Sequence, residues 1–339
     1  MKTLKSQNKS FSQEIYTWYS LFGRNNLPWR KNISPYRVWI SEIMLQQTQV
    51  KTVIPFFNKF IKKYPTLKSI ASASEDDILA LWTGLGFYRR AKNIYKTKEI
   101  IKNNFKNRFP KNFDELILLP GIGRSTAGAI MSIAYQESYP ILDANVKRVI
   151  SRYKKIDLNG KDCTKQLWLT SEELTPEVNI FEYTQGIMDL GATVCTSKSQ
   201  DCMRCPVNKN CKSAYEDINT RPKVKKERSK KKIYFTLAHS NDSFLLFKKN
   251  EKSFWESLWV PYDTNGLKGN DIFKEPANKK ITNINHLLSH MELDITVEIV
   301  DYKTPFKVKT NLEHEWISKD QIHNYGLPKP IMTIIENHG

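Results

Sequence analysis

The chain lacks the features that would place it among membrane, secreted or disordered proteins. No stretch approaches about 18 uninterrupted apolar residues, which excludes a membrane-spanning helix. The first ten residues are polar and hold no apolar segment, so we expect no secretory signal. With 40% hydrophobic and 12% aromatic residues, the chain has too much core-forming material for disorder. Its 339 residues are enough for two domains of about 150 residues each.

Acidic residues are few compared with basic ones. The chain has 35 Asp and Glu against 53 Lys and Arg, which gives a net charge of +18. This balance favours an anionic partner, and nucleic acid is the first candidate. A basic surface that is merely solvated is the alternative.

Cysteine is rare, and most of it is clustered. The count of five is odd, which argues against a disulfide framework. Four of the cysteines (Cys195, Cys202, Cys205 and Cys211) fall within seventeen residues, separated by gaps of six, two and five. The spacing predicts one metal centre at residues 195–211, and it leaves both an iron–sulfur cluster and a tetrahedral zinc site open. Cys163 stands alone and is interpreted as a buried or spare thiol.

The first two thirds of the chain have a helical pattern. Residues 11–215 contain apolar residues at helical spacing between short polar breaks. Ser34 followed by Pro35 is typical of a helix start, and Asn112 and Asp143 stand where two further helices begin. These signals predict an all-helical domain over residues 1–215.

The pattern changes after a strongly basic segment. Residues 221–232 contain eight basic residues and one acidic residue, which is typical of a solvated linker that could also bind phosphate. Beyond it, strands are predicted at 233–238, 243–247 and 295–300, and a helix at 331–336. We therefore expect a basic linker at 216–232 and a domain with strands and helix at 233–339.

A first glycine-containing turn lies between two predicted helices. Within residues 118–130, Gly121 and Gly123 allow a tight turn and a close approach of the backbone to a partner. The following helix begins at once, so its free N–H groups could bind phosphate. The pattern favours a helix–hairpin–helix motif, and a tight turn without a ligand is the alternative.

A second glycine-containing turn carries aromatic and basic residues. Gly84 and Gly86 are followed by Phe87, Tyr88 and a pair of arginines. A planar ring on a tight loop can insert between bases while arginine binds phosphate. The alternative, that the two aromatic rings complete the core, is equally compatible with the sequence.

Two carboxylates lie in opposite surroundings. Glu42 has Val38, Trp39 and Leu45 on its helical face, so its pKa is expected to rise and the group could donate a proton. Asp143 precedes a helix, where the backbone favours the ionised form. Such a pair can cleave a bond at a sugar carbon. The alternatives are a solvated glutamate and an ordinary helix cap, and spacing does not show that the two groups meet.

Taken together, these motifs resemble the MutY-type adenine DNA glycosylases of the helix–hairpin–helix superfamily. The matching segments are 27–30 (LPWR), 41–50 (SEIMLQQTQV), 81–90 (LWTGLGFYRR), 119–128 (LPGIGRSTAG), 141–149 (ILDANVKRV) and the four-cysteine loop. The resemblance implies an all-α glycosylase domain with an iron–sulfur loop, followed by an α+β Nudix-like domain. It also implies monofunctional hydrolysis, in base excision repair, of the bond that holds adenine opposite 8-oxoguanine or guanine.

The resemblance assigns roles to individual residues. Glu42 would protonate an adenine ring nitrogen, and Asp143 would stabilise the oxocarbenium-like sugar or bond to it transiently, with Asn145 orienting both. The adenine pocket would be lined by Trp29, Arg30, Leu45, Val50, Gln185 and Met188. Gln47, Thr48 and Leu85 would meet 8-oxoguanine, Phe87 would be the wedge, and Gly121 and Gly123 would bind backbone phosphate.

The resemblance also selects a cofactor and a partner. Cys195, Cys202, Cys205 and Cys211 would carry a [4Fe-4S] cluster, so the resemblance favours iron over zinc. The partner would be double-stranded DNA with an adenine:8-oxoguanine mispair, bound by a monomer in the cytoplasm, at the nucleoid and away from membranes. Ser125 occupies the position where strand-nicking relatives carry a nucleophilic Lys, which indicates a glycosylase that leaves an abasic site.

In the C-terminal domain, Ser289 and His290 match the loop that reads 8-oxoguanine. The sequence departs from the family at two positions, since Leu288 replaces the usual Phe and Phe87 the usual Tyr of the wedge. Phe keeps the stacking surface but loses a hydroxyl group. No Nudix pyrophosphatase signature is present in residues 262–290, so nucleotide hydrolysis by this domain is not expected.

Overall fold

The computed structural model describes residues 2–216, 228–250, 254–264, 272–288 and 291–338, with residues 2–10 as backbone only. The chain forms two compact units. The first comprises Met1–Ser72 and Lys96–Lys223, and the second comprises Ala73–Tyr95 and Val224–Gly339. Part of the predicted linker (217–227) and the predicted recognition residues Ser289 and His290 lie outside the described residues.

Helices dominate the chain up to residue 193, as the sequence predicts. They are α1 (Lys2–Phe22), α2 (Pro35–Leu45), α3 (Val50–Lys63), α4 (Leu67–Ile70), α5 (Glu75–Trp82), α6 (Arg89–Asn104), α7 (Phe113–Ile117), α8 (Arg124–Ile130), α9 (Ala144–Lys154), α10 (Cys163–Leu174) and α11 (Ile180–Thr193). Helix α8 continues into a π-helical turn at Met131–Tyr135. Short 3-10 turns occupy Pro28–Arg30 and Asn208–Asn210.

The predicted helix starts are confirmed. The Ser34 hydroxyl accepts from the Arg37 amide, and the Asn112 side chain accepts from two amides of α7. Asp143 caps α9 by accepting from the Val146 amide at 2.7 Å. Each cap satisfies a backbone N–H that the first helical turn cannot pair, which explains why polar residues begin these helices.

The second unit is built on a mixed sheet. Its strands are β1 (Ser229–Ser240), β2 (Ser243–Lys248), β3 (Trp259–Val260), β4 (Tyr262–Asp263), β5 (Asn278–Leu287), β6 (Met291–Tyr302) and β7 (His314–Ser318). The order is β3-β2-β1-β6-β5, with β4 beside β1 and β7 beside β2. Strands β1 and β6 are parallel and the other pairs are antiparallel. A 3-10 turn (Ile322–Asn324) and helix α12 (Lys329–Glu336) follow.

The α+β class predicted for the C-terminal region is confirmed, and its strand bounds change. Strand β1 begins at Ser229 because its first residues pair with β6 from Met291 onward. Residues 229–232 are therefore strand, although the sequence placed them in the linker. Strand β5 (NKKITNINHL) has no continuous apolar signal, and its pairing with β6 rather than its composition makes it a strand. Within the described residues, no helix has the length and apolarity to span a membrane.

Candidate functional site

Glu42 lies on α2, between the buried residues Ser41 and Ile43. Burial, followed by repulsion from the Asp143 carboxylate, raises the pKa of Glu42 to about 7, although the positive Arg30 acts against the rise. The rise expected from its apolar neighbours is therefore present. Because the two carboxyl groups interact, they lie close together, which the sequence alone left open. A group with this pKa can hold a proton at neutral pH and release it.

Asp143 is placed by the start of α9. Its side chain accepts from the Val146 amide at 2.7 Å and from Asn145 Nδ2 at 3.4 Å. These hydrogen bonds and the charge of Arg148 favour the ionised form, but burial outweighs them and the pKa of Asp143 is raised. The helix start therefore provides the backbone hydrogen bond expected of it, but desolvation has the larger effect on the pKa of Asp143.

A buried aspartate that the sequence analysis missed fixes the cation beside Glu42. Arg30 Nη1 and Nη2 donate to the Asp189 carboxylate at 2.7 and 2.8 Å. Arg24 Nε and Nη2 donate to the same carboxylate at 2.9 and 2.6 Å. Although burial opposes this, the two guanidinium groups hold the pKa of Asp189 below its ordinary value. The signal available in the sequence was a single Asp in an otherwise apolar stretch of α11.

The other residues assigned to the base pocket lie on the same few elements. Trp29 and Gln185 are buried. Leu45, Val50 and Met188 are half-buried. Leu45 ends α2 and Val50 begins α3, while Gln185 and Met188 lie four and one residues before Asp189 on α11. Helical spacing places Gln185 and Asp189 on one face of α11, so this helix carries both a residue assigned to the base pocket and the aspartate that binds Arg30.

The residues assigned to the 8-oxoguanine side are not all in one unit. Gln47 is exposed and has a positive φ of 57° in the turn between α2 and α3, beside the half-buried Thr48. Leu85 and Phe87 belong to the second unit. Leu85 is buried, whereas 44% of the Phe87 surface is exposed.

The predicted hairpin connects α7 to α8. Gly121 has a positive φ of 82°, and Gly123 precedes the first residue of α8. Both glycines are exposed, and Gln46 Nε2 donates to the Gly121 carbonyl at 3.4 Å. Ser125 Oγ accepts from the Leu142 amide at 2.9 Å, so this side chain fixes the segment that leads into Asp143.

Four cysteines line one cavity, as the sequence spacing predicts. Cys195, Cys202, Cys205 and Cys211 share its wall with Arg152. Arg152 Nη1 donates to Cys195 Sγ at 3.1 Å, and the Tyr215 amide donates to Cys202 Sγ at 3.3 Å. Burial and the neighbouring thiols raise the pKa of Cys205 to about 12. Four convergent sulfur ligands and N–H groups directed at sulfur fit a soft, positively charged metal centre.

A chain of hydrogen bonds connects this cavity to Asp143. Asn145 donates to Asp143, and Arg148 Nη2 donates to Asn145 Oδ1 at 2.7 Å. Arg148 Nε donates in turn to the Cys195 carbonyl at 2.8 Å. Gly191 of α11 makes room for Asn145, because a Cβ at this glycine would lie 2.7 Å from the Asn145 Cβ. The cysteine loop therefore supports the residue that orients Asp143.

Comparisons with known proteins show what this chain is similar to. The pattern of the HhH-GPD superfamily base excision DNA repair proteins matches residues 40–173. The adenine DNA glycosylase of Buchnera aphidicola subsp. Schizaphis graminum (strain Sg) is 43% identical over 96% of this chain and 98% of its own length. A thermostable thymine-DNA glycosylase structure is 28% identical and has a TM-score of 0.55, covering 62% of this chain and 97% of its own. The NUDIX domain of Shewanella oneidensis NrtR, solved with ADP ribose, covers 35% of this chain and 92% of its own at 11% identity, with a TM-score of 0.25.

Proposed function

We propose a substrate and a mechanism from the premise that this chain belongs to the adenine DNA glycosylases, within the HhH-GPD superfamily of base excision DNA repair proteins. The chain is accordingly a hydrolase that acts on N-glycosyl bonds. Its substrate is adenine opposite 8-oxoguanine or guanine in duplex DNA. The observation that carries the mechanism is the pair formed by Glu42, whose pKa is about 7, and the neighbouring Asp143.

Glu42 is the general acid of the reaction. It donates its proton to a ring nitrogen of adenine, so the base can accept the electron pair of the glycosidic bond as that bond breaks. Adenine then leaves as a neutral molecule. DNA that covers the site excludes water and disfavours the ionised carboxylate further, which keeps the proton on Glu42 until the base is bound.

Asp143 acts on the other product of bond cleavage. Loss of the base leaves positive charge on the sugar ring, and the Asp143 carboxylate stabilises it by charge or by a transient bond to the anomeric carbon. Water adds to this carbon, and the proton it releases restores Glu42. Asn145 orients the Asp143 carboxylate through the hydrogen bond described above.

The flipped adenine occupies a pocket between α2, α3 and α11. Trp29 and Leu45 contact its ring faces, and Gln185 can hydrogen-bond its edge. Asp189 binds the Arg30 guanidinium and so holds this cation in one orientation beside the base. Because Arg30 is paired with Asp189, it does not form an ion pair with Glu42. Val50 and Met188 complete the apolar wall.

The opposite strand is read by several separate loops. Gly121 and Gly123 present exposed backbone to a DNA phosphate. Gln47, Thr48 and Leu85 meet 8-oxoguanine, and the exposed Phe87 ring inserts into the base stack. The C-terminal domain contributes a recognition loop that contains Ser289 and His290.

The cysteine cavity would hold a [4Fe-4S] cluster. Cys195, Cys202, Cys205 and Cys211 would be its ligands, and the cluster would supply a cross-link that shapes residues 195–211. Arg152 balances the negative charge of the ligated sulfurs. Arg148 hydrogen-bonds both the Cys195 carbonyl and the Asn145 side chain. The cysteine loop therefore supports catalysis by holding Asn145, through Arg148, in the position that orients Asp143.

Ser125 argues for a monofunctional enzyme. A serine whose hydroxyl is engaged by the Leu142 amide offers no amine for attack on the sugar. The product is therefore an abasic site in an intact strand. The protein acts as a monomer on chromosomal DNA.

An excision assay with an alkali step tests this function. The substrate is a duplex with one adenine opposite 8-oxoguanine, and half of each sample is treated with alkali after incubation. We expect strand breaks only after alkali. Breaks without alkali would indicate a lyase, and an intact strand after alkali would refute adenine excision.

The variant Glu42→Gln separates catalysis from binding. It should bind the duplex as wild type does and lose excision by at least about 100-fold, the low end of a general acid contribution. The control Glu137→Gln makes the same chemical change at an exposed residue of the same unit and should be fully active. If wild type is as inert as Glu42→Gln, the protein is a damage sensor that only binds.

A further inference from the structure

The loop that carries Phe87 is attached to a segment near the C-terminus. We call residues 83–88 the wedge loop and residues 326–328 the anchor segment, and both belong to the second unit. Tyr88 Oη donates to the Leu327 carbonyl at 2.9 Å. The Leu327 amide donates to Thr83 Oγ1 at 3.4 Å. Thr83 and Tyr88, the first and last residues of the wedge loop, therefore hydrogen-bond the backbone amide and carbonyl of Leu327.

The Tyr88 hydroxyl also closes the wedge loop on itself. It accepts from the Gly84 amide at 3.4 Å while it donates to Leu327. Burial raises the pKa of Tyr88 to about 12, so the hydroxyl remains a donor throughout the physiological range. One side chain thus holds the inner part of the loop and the anchor segment together.

The elements on either side of the wedge loop are attached to the same region. Before the loop, Asp76 of α5 accepts from Lys248 Nζ at 2.9 Å and from Trp259 Nε1 at 3.3 Å. After the loop, Lys92 Nζ lies 2.9 Å from a Glu256 carboxylate oxygen. These contacts attach α5 and α6, the helices that flank the loop, to strands β2 and β3 and to the turn between them.

The anchor segment itself approaches α5 very closely. A Cβ at Gly326 would lie 2.5 Å from the Leu79 Cβ, so only glycine allows this distance. The Gly326 carbonyl accepts from the Trp259 amide at 2.9 Å, which ties the segment to β3. The position of Leu327 opposite the wedge loop is therefore determined by the fold.

The backbone of the wedge loop needs such support. Gly84, Gly86 and Phe87 all have positive φ, at 95°, 78° and 51°. A bulky residue rarely adopts this conformation unless its surroundings impose it. The Gly86 carbonyl accepts from Trp82 Nε1 at 3.0 Å, and the Arg90 guanidinium lies 5.4 Å from the Phe87 ring centre. The ring is nevertheless partly exposed, as a wedge requires.

We infer that Tyr88 and Thr83 are positioning residues for the wedge, because through Leu327 they hold Phe87 in its strained, exposed conformation. The inference rests on the proposed function, in which Phe87 enters the DNA stack. It assigns the anchor segment a part in reading the mispair that is separate from any contact with DNA. The Tyr88 hydroxyl, rather than its ring, is the group that matters.

The test measures wedge insertion directly. The probe is a duplex with adenine opposite 8-oxoguanine and the fluorescent base 2-aminopurine beside the 8-oxoguanine, which brightens when it is unstacked. At saturating protein, Tyr88→Phe should give less than half of the wild-type fluorescence increase. Its single-turnover excision rate should fall about fivefold, the effect of one lost hydrogen bond.

Matched variants separate positioning from general damage. Thr83→Val should resemble Tyr88→Phe, whereas Thr83→Ser keeps the hydroxyl and should behave as wild type. Tyr302→Phe removes a hydroxyl that donates to the Lys274 carbonyl elsewhere in the same unit, and it should leave both readouts unchanged. Melting curves of each variant establish that the protein is folded at the assay temperature.

Each outcome decides one part of the reasoning. If Tyr88→Phe and Thr83→Val match Tyr302→Phe in both readouts, the positioning role is wrong while excision and wedge remain. If Phe87→Ala gives the full wild-type fluorescence increase, Phe87 is not a wedge, and the proposed recognition mode fails together with this inference. A protein that excises no adenine contradicts the proposed function itself.

Discussion

The raised pKa of Glu42 has a consequence for folding stability that is independent of catalysis. The fold raises this pKa from the ordinary value of 4.5 to about 7, so it disfavours the ionised group. The protein therefore keeps its full stability below pH 4.5 and loses stability as the pH rises through 7. Glu42→Gln has no such ionisation, and its stability relative to wild type should rise with pH.

The magnitude follows from the pKa difference. Since one pKa unit corresponds to about 1.4 kcal/mol, ionising Glu42 in the folded state costs up to about 3 kcal/mol at pH 8 and under about 1 kcal/mol at pH 5. Partial solvation of the half-buried side chain makes these upper limits. For a unit of this size, 1 kcal/mol shifts the melting temperature by about 2–4 °C. Between pH 5 and pH 8, Glu42→Gln should therefore gain about 5 to 10 °C relative to wild type.

Thermal melts followed by circular dichroism at both pH values measure this gain. Glu137→Gln serves as the control, because it makes the same substitution at an exposed position of the same unit. A Glu42→Gln melting temperature that differs from wild type by the same amount at pH 5 and pH 8 would refute the reasoning. The group would then have an ordinary pKa, and the proposed proton donor would be lost with it.

Four further outcomes are expected. The second-order excision rate at subsaturating enzyme, which reports the protein before DNA is bound, should fall about tenfold between pH 6 and pH 8 as the proton leaves Glu42, and a flat profile would contradict this. In chemical denaturation, Asp189→Asn should lower the free energy of unfolding by about 3 kcal/mol, because it leaves the buried Arg30 without its ion-pair partner. The control Glu172→Gln breaks an exposed ion pair and should lower the free energy of unfolding by under about 1 kcal/mol. Cys202→Ser should make residues 195–211 sensitive to protease and weaken DNA binding, while Cys163→Ser should change neither. Duplex affinity should fall linearly on a log–log plot against salt, and salt-independent binding would contradict the phosphate contacts.

Local sequence signals predicted the parts of this protein that depend on nearby residues. The caps at Ser34, Asn112 and Asp143 are satisfied within three residues, so their residue types were sufficient. The four cysteines of the metal loop could be grouped because a short polar loop limits how far apart they lie. Strand β5 was missed, since its Lys- and Asn-rich sequence becomes a strand only through pairing with β6.

The pairing of Glu42 with Asp143 required the tertiary structure. They are about one hundred residues apart in sequence, and only the tertiary packing, in which α2 lies against α8 and the π-helical turn that precedes α9, brings them close enough to interact. The same is true of Asp189, whose carboxylate meets guanidinium groups more than 150 residues away. The pKa of Asp143 depends on both local and tertiary structure. The hydrogen bonds of the helix cap, which lower it, come from neighbouring residues, whereas the burial that outweighs them comes from the packing of distant segments.

The sequence by itself determined which chemical groups are available and which short segments they occupy. Helical periodicity, capping residues and the cysteine spacing act over a few residues, and any fold of this chain must respect them. The tertiary structure decided which groups share a dry environment and which cation stands beside which acid. It also decided how Leu327 meets the wedge loop. Desolvation and Coulomb interaction depend on distances in space, and no local pattern records those distances.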